Sequence, residues 1–479
     1  MNIKSFFKEK GYDISEKLAW DKYFELWESW YKGKVAKFHT YYVYNGQKKV
    51  KREKKSLQSA KKVCEDWADL LFNEKVTISL GTENDTKAMQ ELLTSNNAVV
   101  LINKGIEQTY AFGTGALITS VENMLFDENN NILDVTESRT KAEFVKGNKI
   151  YPLSWNGDEI TECAFVTYRT EKSINYVYIS MHLINDKDNY VIENYKFEVD
   201  RSGNMKSVDE NEGFLASFDT KNNIPWFSIL RPNICNNIDT ETPFGISIYA
   251  NSIDTLKSLD NAYNELDNEI ILGRRRTFVS EEVMTYNDGE SQLTFDPEDI
   301  SIYRMPKGFG KDSMIQNSSD QLRTDKLESA VQFQLNILSS KVGFGQERYR
   351  FNGGSIQTAT GVISENSDMF RTIKKHEQVL QNALKTFIKA QAYASSNFSN
   401  TKINADKINI MFDDSVIEDK GAEQIRSQSE VTAGLRSKKS YMETVRGLTD
   451  KEITNEMQQI EQEKVSNKEA LGIIPQEEE

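Results

Sequence analysis

The sequence is poor in cysteine, proline and long apolar runs. Its 479 residues include three cysteines, Cys64, Cys163 and Cys235, which lie far apart and form no CxxC pair. This argues against a disulfide framework or a zinc site, and predicts buried or incidental thiols in a reducing compartment. Seven prolines leave room for long uninterrupted helices. Apolar runs such as 98–102 are far shorter than the roughly 20 residues that cross a bilayer, so we expect no membrane partner.

Nucleotide-binding motifs are also missing. The stretch 305–312 fails as a phosphate-binding loop, because Met305 stands at the required first glycine and Asp312 at the Ser/Thr position. Gly343 and Gly345 begin a GxGxxG pattern, but Arg348 occupies the third glycine position. No GxSxG or HExxH motif occurs.

Residues for acid–base or metal chemistry are few and scattered. The three histidines are His39, His182 and His376; we expect His182 in the core or at the edge of a strand, and His376 on a polar helix surface. The acidic pairs 413–414 and 186–188 are typical of turns, although they could also serve a nuclease as metal ligands. The sequence therefore predicts no enzyme, no cofactor and no metal.

The net charge of −14 argues against a conventional DNA-gripping protein, because an acidic surface repels phosphates. Such a surface suits a conduit along which DNA slides, and equally suits an ordinary acidic protein. One basic run, Lys48–Lys55, stands out. We interpret it as a solvated face leading into an amphipathic helix, Ser56–Phe72, in preference to a DNA-binding or targeting segment.

The first half of the chain mixes helical and strand patterns. Apolar residues at positions 20, 23, 24 and 27 have helical spacing and predict a core-facing stripe. Residues 76–120 predict a strand, a helix and a turn of small residues. Residues 116–230 are rich in strand-forming residues and turn signals, and predict a β-rich body.

The second half predicts a helical stalk. A near-heptad apolar seam marks a helix from residue 246 to Gly273, and a second helix of similar length follows at Gln321–Val342. They flank a small insert of short strands and can pair antiparallel. A glycine-rich loop, Gly343–Gly354, leads into a long helix, Thr358–Ser395, which Gly361 could kink.

Three segments in this order resemble the portal proteins of tailed double-stranded DNA phages, in the branch common among phages of Gram-positive hosts. Ser56–Glu74 looks like the early helix of that branch, and residues 225–248 look like its run into the stalk. Residues 354–367 look like its junction between loop and long helix, although the family often has a larger residue where Gly361 stands.

The resemblance implies an α+β, portal-type multi-domain subunit with a β-rich wing, a two-helix stem, a small α/β clip, a long kinked helix and a helical crown. The implied divisions are wing 1–245, stem helix 1 at 246–276, clip 277–322, stem helix 2 at 323–342, channel loop 343–357, long wing helix 358–396, wing strand 397–417, and helical crown with C-terminal tail 418–479.

The resemblance also implies a role. Portal subunits form a homo-oligomeric ring, usually a dodecamer, at one capsid vertex, through which double-stranded DNA is packaged and ejected. The implied partners are the terminase large subunit, a head-completion or adaptor protein, and the major capsid and scaffold proteins. The implied location is the virion, after assembly in the host cytoplasm. Alternatives are another self-assembling phage structural protein or, less favoured, a metal-dependent nucleic-acid enzyme.

In such a ring the glycine-rich loop would project into the channel, where its glycines would let it change conformation. We expect the loop to contact DNA only transiently, because the rest of the chain is acidic and repels phosphates. Arg348 could instead pair with Glu347 or with a neighbouring subunit. The expected channel-loop residues are Phe344, Gln346, Arg348, Tyr349, Arg350 and Asn352.

Overall fold

The computed structural model describes most of the chain, with gaps. The described residues are 1–44, 48–126, 132–208, 215–273, 276–280, 302–305, 315–318, 321–345, 348–350, 367–399, 401–412, 427–444 and 453–460. The chain divides into two compact units. One comprises Met1–Gly353 and Asp368–Asp413, and the other comprises Gly354–Ser367 and Asp414–Glu479.

Helices and strands alternate irregularly along the first unit. Its described helices are α1 (Ile3–Glu9), α2 (Ser15–Tyr31), α3 (Ala36–His39), α4 (Ser59–Leu71), α5 (Glu83–Ser95), α6 (Ala98–Phe112), α7 (Ile253–Leu272), α8 (Thr324–Lys341) and α9 (Ser367–Phe398), with 3-10 turns at Gly147–Lys149 and Ala250–Ser252.

The strands pair almost entirely antiparallel, which with the helices confirms the α+β class. They are β1 (Thr40–Tyr44), β2 (Lys49–Glu53), β3 (Thr77–Leu80), β4 (Gly115–Glu122), β5 (Leu125–Phe126), β6 (Ile132–Asp134), β7 (Arg139–Lys146), β8 (Ile150–Asn156), β9 (Glu159–Glu171), β10 (Ile174–Ile184), β11 (Tyr190–Val199), β12 (Met205–Ser207), β13 (Ser217–Asp219), β14 (Phe227–Leu230), β15 (Arg276–Ser280), β16 (Ile302–Met305), β17 (Ile315–Ser318) and β18 (Ile408–Met411).

The predicted β-rich body is confirmed. Its largest sheet has the order β12-β11-β10-β9-β8, and β13 adds to β11. A second sheet has the order β14-β4-β7. The two sheets meet over a common core that includes Ala116 of β4, Phe165 of β9 and Phe227 of β14. Residues 76–120 contain two helices, α5 and α6, where one was predicted.

The aromatic rings of helix α2 pack against Phe112 at the end of α6 and against Phe244 in the segment before α7. Trp20, Phe24, Trp27 and Trp30 are all buried, which confirms the helical stripe. Helix α4 buries Trp67 and its neighbours on one face, as its amphipathic pattern predicted. The basic run before α4 was interpreted wrongly in one respect. It forms strand β2, which pairs antiparallel with β1, and the helix begins only at Ser59.

A close backbone contact sets where the stalk leaves the body. Gly113 ends α6 at φ +77°, and a Cβ atom placed there would lie 2.4 Å from the carbonyl carbon of Ile246. The amide of Gly245 donates to Thr114 Oγ1 at 3.0 Å. Residues 246–249 are therefore held as irregular chain against the body, and α7 begins only at Ile253. The helix predicted from residue 246 was placed too early.

Helices α7 and α8 form the antiparallel pair that the apolar seam predicted. Contacts at both ends establish their direction. Arg323, just before α8, makes a two-bond ion pair with Glu269 near the end of α7, with N–O distances of 2.8 and 3.2 Å. At the other end Lys341 Nζ donates to Thr255 Oγ1 at 3.1 Å. Between the helices, β15 pairs with β16 and β17, consistent with the predicted small insert.

Helix α9 has 32 residues, about 48 Å at 1.5 Å per residue. It is described from Ser367, so the predicted start at Thr358 and kink at Gly361 lie outside the described residues. The side-chain amide of Gln391 on this helix donates to Thr119 Oγ1 on β4 and to the carbonyl of Lys141 on β7, both at 3.0 Å. These bonds lock the helix across the second sheet.

The second unit is described mainly as helix, at 427–432, Lys438–Thr444 and 453–460. The predicted helical tail is therefore confirmed for these residues. At the start of the helix Lys438–Thr444, the side chain of Ser437 accepts a hydrogen bond from the Ser440 amide at 3.1 Å.

Candidate functional site at the base of the glycine-rich loop

The indole of Trp67, on α4, joins three elements at the base of the glycine-rich loop. Phe344 stacks on it with centroids 4.7 Å apart and planes 20° apart. His376 of α9 packs against it at 4.7 Å. The indole Nε1 donates to the carbonyl of Val342, at the end of α8, at 3.1 Å. The loop therefore starts from a fixed point on the body.

Glycine is required where the loop leaves α8. Gly343 has φ +91°, and an added Cβ atom would lie 2.8 Å from Thr372 Cγ2 on α9. A larger residue would therefore be strained and would push the loop off α9. Gly345, at φ +80°, has open space around its Cα. Of these two glycines, Gly343 serves close packing, and only Gly345 fits the predicted freedom of the loop.

Phe344, predicted as one of the channel-loop residues that contact DNA, is packed inside the subunit. Its side chain is only 1% exposed, because the apolar ring gains more by stacking on Trp67 than by facing solvent. Gln346 and Asn352 lie outside the described residues. Arg348, Tyr349 and Arg350 are described, and all three retain some exposure.

Arg348 contacts a carboxylate of its own chain. Its guanidinium lies 3.8 Å from Asp66 Oδ1 and 5.8 Å from the centre of the Phe344 ring. Asp66 is nearly buried, and it also accepts a 2.7 Å bond from Lys62 one helical turn earlier. The long, partly exposed contact to Arg348 is worth about 1 kcal/mol or less. It restrains the guanidinium weakly and leaves it available to a stronger anion.

Tyr349 ties the loop to α8. Its carbonyl accepts a 3.0 Å bond from Gln332 Nε2, and its ring meets the Phe344 ring edge-on at 6.0 Å. Burial, reinforced by the negative charge of Asp66, raises the pKa of the Tyr349 hydroxyl, so it stays protonated. Tyr349 and Arg350 line a cavity of about 300 Å³ that is also bordered by Leu335.

His376 was predicted on a polar helix surface, and this was wrong. Its ring is 1% exposed, and its Nδ1 accepts bonds from the Tyr110 hydroxyl at 2.8 Å and from the Asn233 amide at 3.0 Å. Burial, helped by the charge of Lys375, lowers the pKa of His376 to about 3. The ring is therefore neutral and acts as a packed acceptor beneath Trp67.

His182 is also buried, as predicted, and burial lowers its pKa to about 3. The acidic pair at 186–188 lies in the β10–β11 turn, where the Asp188 amide donates to the carbonyl of Asn185 at 2.9 Å. The other pair, 413–414, is outside the described residues. Within the described part of the chain, no group of three or more His, Cys, Asp or Glu side chains could hold a metal ion. Nor does that part contain a helix long and apolar enough to cross a membrane.

Comparison with known proteins identifies the family. The sequence model described as "Phage portal protein, SPP1 Gp6-like" matches residues 16–470, nearly the whole chain. The chain belongs to this phage portal protein family. It is a structural family, in line with the scarcity of catalytic motifs. No curated protein is significantly similar to the portal chain.

Two solved structures of a gene transfer agent contain chains similar to this portal protein. They are titled "Virion of native gene transfer agent (GTA) particle" and "Neck of native GTA particle computed with C12 symmetry". The identities are 11% and 10%. Each match covers 81% of this chain and 89% of the other, at a TM-score of 0.41. A TM-score of 0.41 is too low for the likeness to bear on function.

Sequence reasoning missed Asp66 and His376 as neighbours of the portal loop. Asp66 carried one local signal, its spacing of four residues from Lys62, which is common on solvated helices. His376 carried none, because its partners Tyr110 and Asn233 lie 266 and 143 residues away along the chain. Such contacts follow only from the fold.

We predict that Phe344→Ala destabilises the portal subunit by about 3–5 kcal/mol, since it removes a buried ring and leaves a cavity beside Trp67. Chemical denaturation would measure the free energy of unfolding. Leu133→Ala is the control, because Leu133 on β6 is 67% exposed and should change stability by about 0.5 kcal/mol or less. Equal effects of the two variants would contradict the anchoring role of Phe344.

A second prediction concerns pH. Because the folded pKa of His376 is about 3, against about 6.5 unfolded, the unfolded state binds the proton first as pH falls. Stability present above about pH 6.5 is therefore lost on acidification. His376→Asn keeps an acceptor near Nδ1 but cannot titrate. Between pH 6 and 4.5 the unfolding free energy of the variant should fall less steeply than that of the wild type. The two slopes should differ by up to about 1.4 kcal/mol per pH unit, the contribution of one proton. Parallel slopes would refute this assignment.

Proposed function

We propose that this portal protein assembles into a closed ring, usually of twelve copies, at one capsid vertex, and that duplex DNA is packaged and ejected through the ring. The observation that carries the proposal is the family match over residues 16–470, which takes in the body, the α7–α8 pair, the loop and α9. The subunit belongs to the virion in this proposal, and it assembles in the host cytoplasm.

Exposed apolar side chains on the helix pair support a ring. Ile270 and Ile271 at the end of α7 and Phe333 on α8 are 52%, 45% and 62% exposed. Apolar groups exposed along a two-helix stalk commonly mark a subunit interface. Neighbouring copies would cover them through heterologous contacts, and closure of the ring leaves no uncovered end.

We assign portal domains to the observed elements on this basis. The stem comprises residues 246–276, which include α7, and residues 323–342, which include α8. Residues 277–322 form the clip. Residues 1–245 with the long helix (358–396) and the strand segment (397–417) form the wing. Residues 418–479 form the crown.

The clip is proposed to dock the terminase large subunit and later a head-completion protein, while the wing meets capsid and scaffold proteins. The ion pair between Glu269 and Arg323 supports a rigid connection at the clip. Hydrogen bonds from Arg323 lower the pKa of Glu269 to about 2, so the pair stays charged across the physiological range.

The loop residues Arg348 and Arg350 are proposed to touch passing DNA. The 3.8 Å contact between Arg348 and Asp66 supports a transient role, because a phosphate in the channel would compete with a weakly held carboxylate. The acidic remainder of the chain limits the strength of that contact. Together these features favour brief contact during translocation over tight binding.

The ring is tested by negative-stain electron microscopy and native mass spectrometry of the purified full chain. We expect rings of about twelve copies with a central hole wide enough for duplex DNA. Filaments, or dimers with no hole at any concentration, would contradict the proposal. Metal-dependent cleavage of DNA by the same sample would instead favour the nuclease alternative.

The loop contact is tested separately with Arg348→Ala/Arg350→Ala in a packaging reaction. Losing a charged contact of about 1 kcal/mol shifts its equilibrium about fivefold, so packaged DNA per capsid should fall while rings still form. Arg371→Ala/Arg436→Ala removes two arginines elsewhere as a matched charge control. Unchanged packaging by the loop variant would remove the DNA-contact assignment and leave the ring intact.

A further inference from the structure

Arg231, directly after β14, carries a guanidinium group with no partner in its own subunit. Within the described part of the chain it makes no hydrogen bond and no ion pair, and its Nε atom is fully buried. The residue as a whole is half-buried. A guanidinium has five N–H donors and stays charged, so burying it without acceptors is costly. Arg231 is therefore available to an acceptor that enters from outside the subunit.

The chain holds Arg231 firmly in place. On one side β14 ends at Leu230, which is paired in the second sheet. On the other side Asn233 Nδ2 donates to the carbonyl of Lys375 on α9 at 2.6 Å. The stem of the arginine packs along Gly245, where an added Cβ atom would lie 3.4 Å from its Cγ and Cδ atoms. A side chain that is already positioned loses little freedom when it binds a ligand.

Arg231 lines a cleft of about 460 Å³ between β14, α9 and the β8–β9 turn. Beside the cleft, Ser228 Oγ on β14 donates to the carbonyl of Ala383 on α9 at 2.6 Å and fixes the strand to the helix. Asn382 and Thr386 of α9 supply further polar groups to its wall. Small-molecule sites in proteins have volumes of roughly 300–1,000 Å³, so this cleft has the size of a ligand site.

Two carboxylates line the same cleft from the β8–β9 turn. Asp158 and Glu159 are exposed, and neither side chain has a hydrogen-bond or ion-pair partner among the residues that the structure describes. Burial lowers the pKa of Arg231, and the charge of Asp158 opposes that shift without forming an ion pair. The cleft thus presents one positive group and two negative groups at separate places.

We propose that this cleft binds a small zwitterion that carries a carboxylate and an ammonium group, such as an amino acid. The carboxylate accepts two parallel bonds from the fork of Arg231, the geometry in which guanidinium and carboxylate pair best. The ammonium group lies towards Asp158 and Glu159. All of these residues belong to one subunit, so the site does not depend on the proposed ring.

Ligands with a single kind of charge fit the cleft less well. A plain carboxylate is attracted by Arg231 but repelled by the two carboxylates of the turn, and a phosphate with its higher charge is repelled more. A plain amine leaves Arg231 without an acceptor. A ligand with both charges satisfies both sides of the cleft.

The first test measures the binding of ω-amino acids, from glycine to ε-aminocaproate, to the purified full chain by saturation-transfer NMR titration. For at least one chain length, the dissociation constant should be at least about tenfold lower than those of the carboxylate and the amine of the same length, since each of these lacks one charged contact. No binding, or equal constants for zwitterion and plain carboxylate at every length, would overturn the proposal.

The second test locates the site with substitutions. Arg231→Gln keeps most of the stem but removes the charge, and should weaken the best probe at least about tenfold. Asp158→Asn/Glu159→Gln changes exposed positions, so the fold is not at risk, and should reduce the affinity to that of the plain carboxylate. Asp186→Asn/Asp188→Asn makes the same charge change in the β10–β11 turn and should leave binding unchanged. Wild-type binding by the Asp158/Glu159 variant would overturn the assignment, even if Arg231→Gln fails to fold.

A third comparison separates a free ligand from an acidic side chain of a second copy. A side chain seated in the cleft would keep the probe out of assembled subunits, and Arg231→Gln would then weaken assembly. We expect the probe to bind monomers and assemblies alike, and Arg231→Gln to assemble at the wild-type concentration in native mass spectrometry. The opposite results would overturn the assignment of a small ligand.

Discussion

The hydrogen bond from Trp67 Nε1 to the carbonyl of Val342 joins the body of the subunit to the end of its stalk. The last carbonyls of a helix have no partner within the helix, and a buried one must find a donor. Trp67 supplies that donor, and its ring also supplies the surface on which Phe344 stacks. The end of α8, the start of the loop and the first third of α9 are all placed by this one side chain.

The sequence predicted those features that depend on local periodicity. The stripe of α2, the apolar face of α4 and the pairing of α7 with α8 follow from spacings of three and four residues, which sequence displays directly. The β-rich body followed from strand-forming residues and turn signals. The family was also accessible, because three short segments keep their order along the chain.

What the sequence could not predict depends on contacts between distant segments. Residues 246–249 fit a helical seam, yet the close approach of Gly113 holds them as irregular chain. Lys49 and Lys51 were interpreted as part of a solvated segment leading into a helix. Their strand partners, Tyr44 and Tyr42, lie on the other strand of the hairpin, so the pairing is not visible as a local pattern. Phe344 sits in a loop rich in glycine and charge, where exposure is the ordinary expectation. Only the position of Trp67 shows that it is buried.

The two ends of the helix pair have a mechanical consequence. Glu269 and Arg323 join α7 to α8 beside the small strand module, and Lys341 joins α8 back to Thr255 at the other end. A rod braced at both ends moves as one piece along its length. Helix α8 spans about 27 Å, so a displacement at the strand module is delivered to Val342 as a thrust along its axis. There it meets the indole of Trp67, so the helix pair acts as a strut between the strand module and the start of the glycine-rich loop.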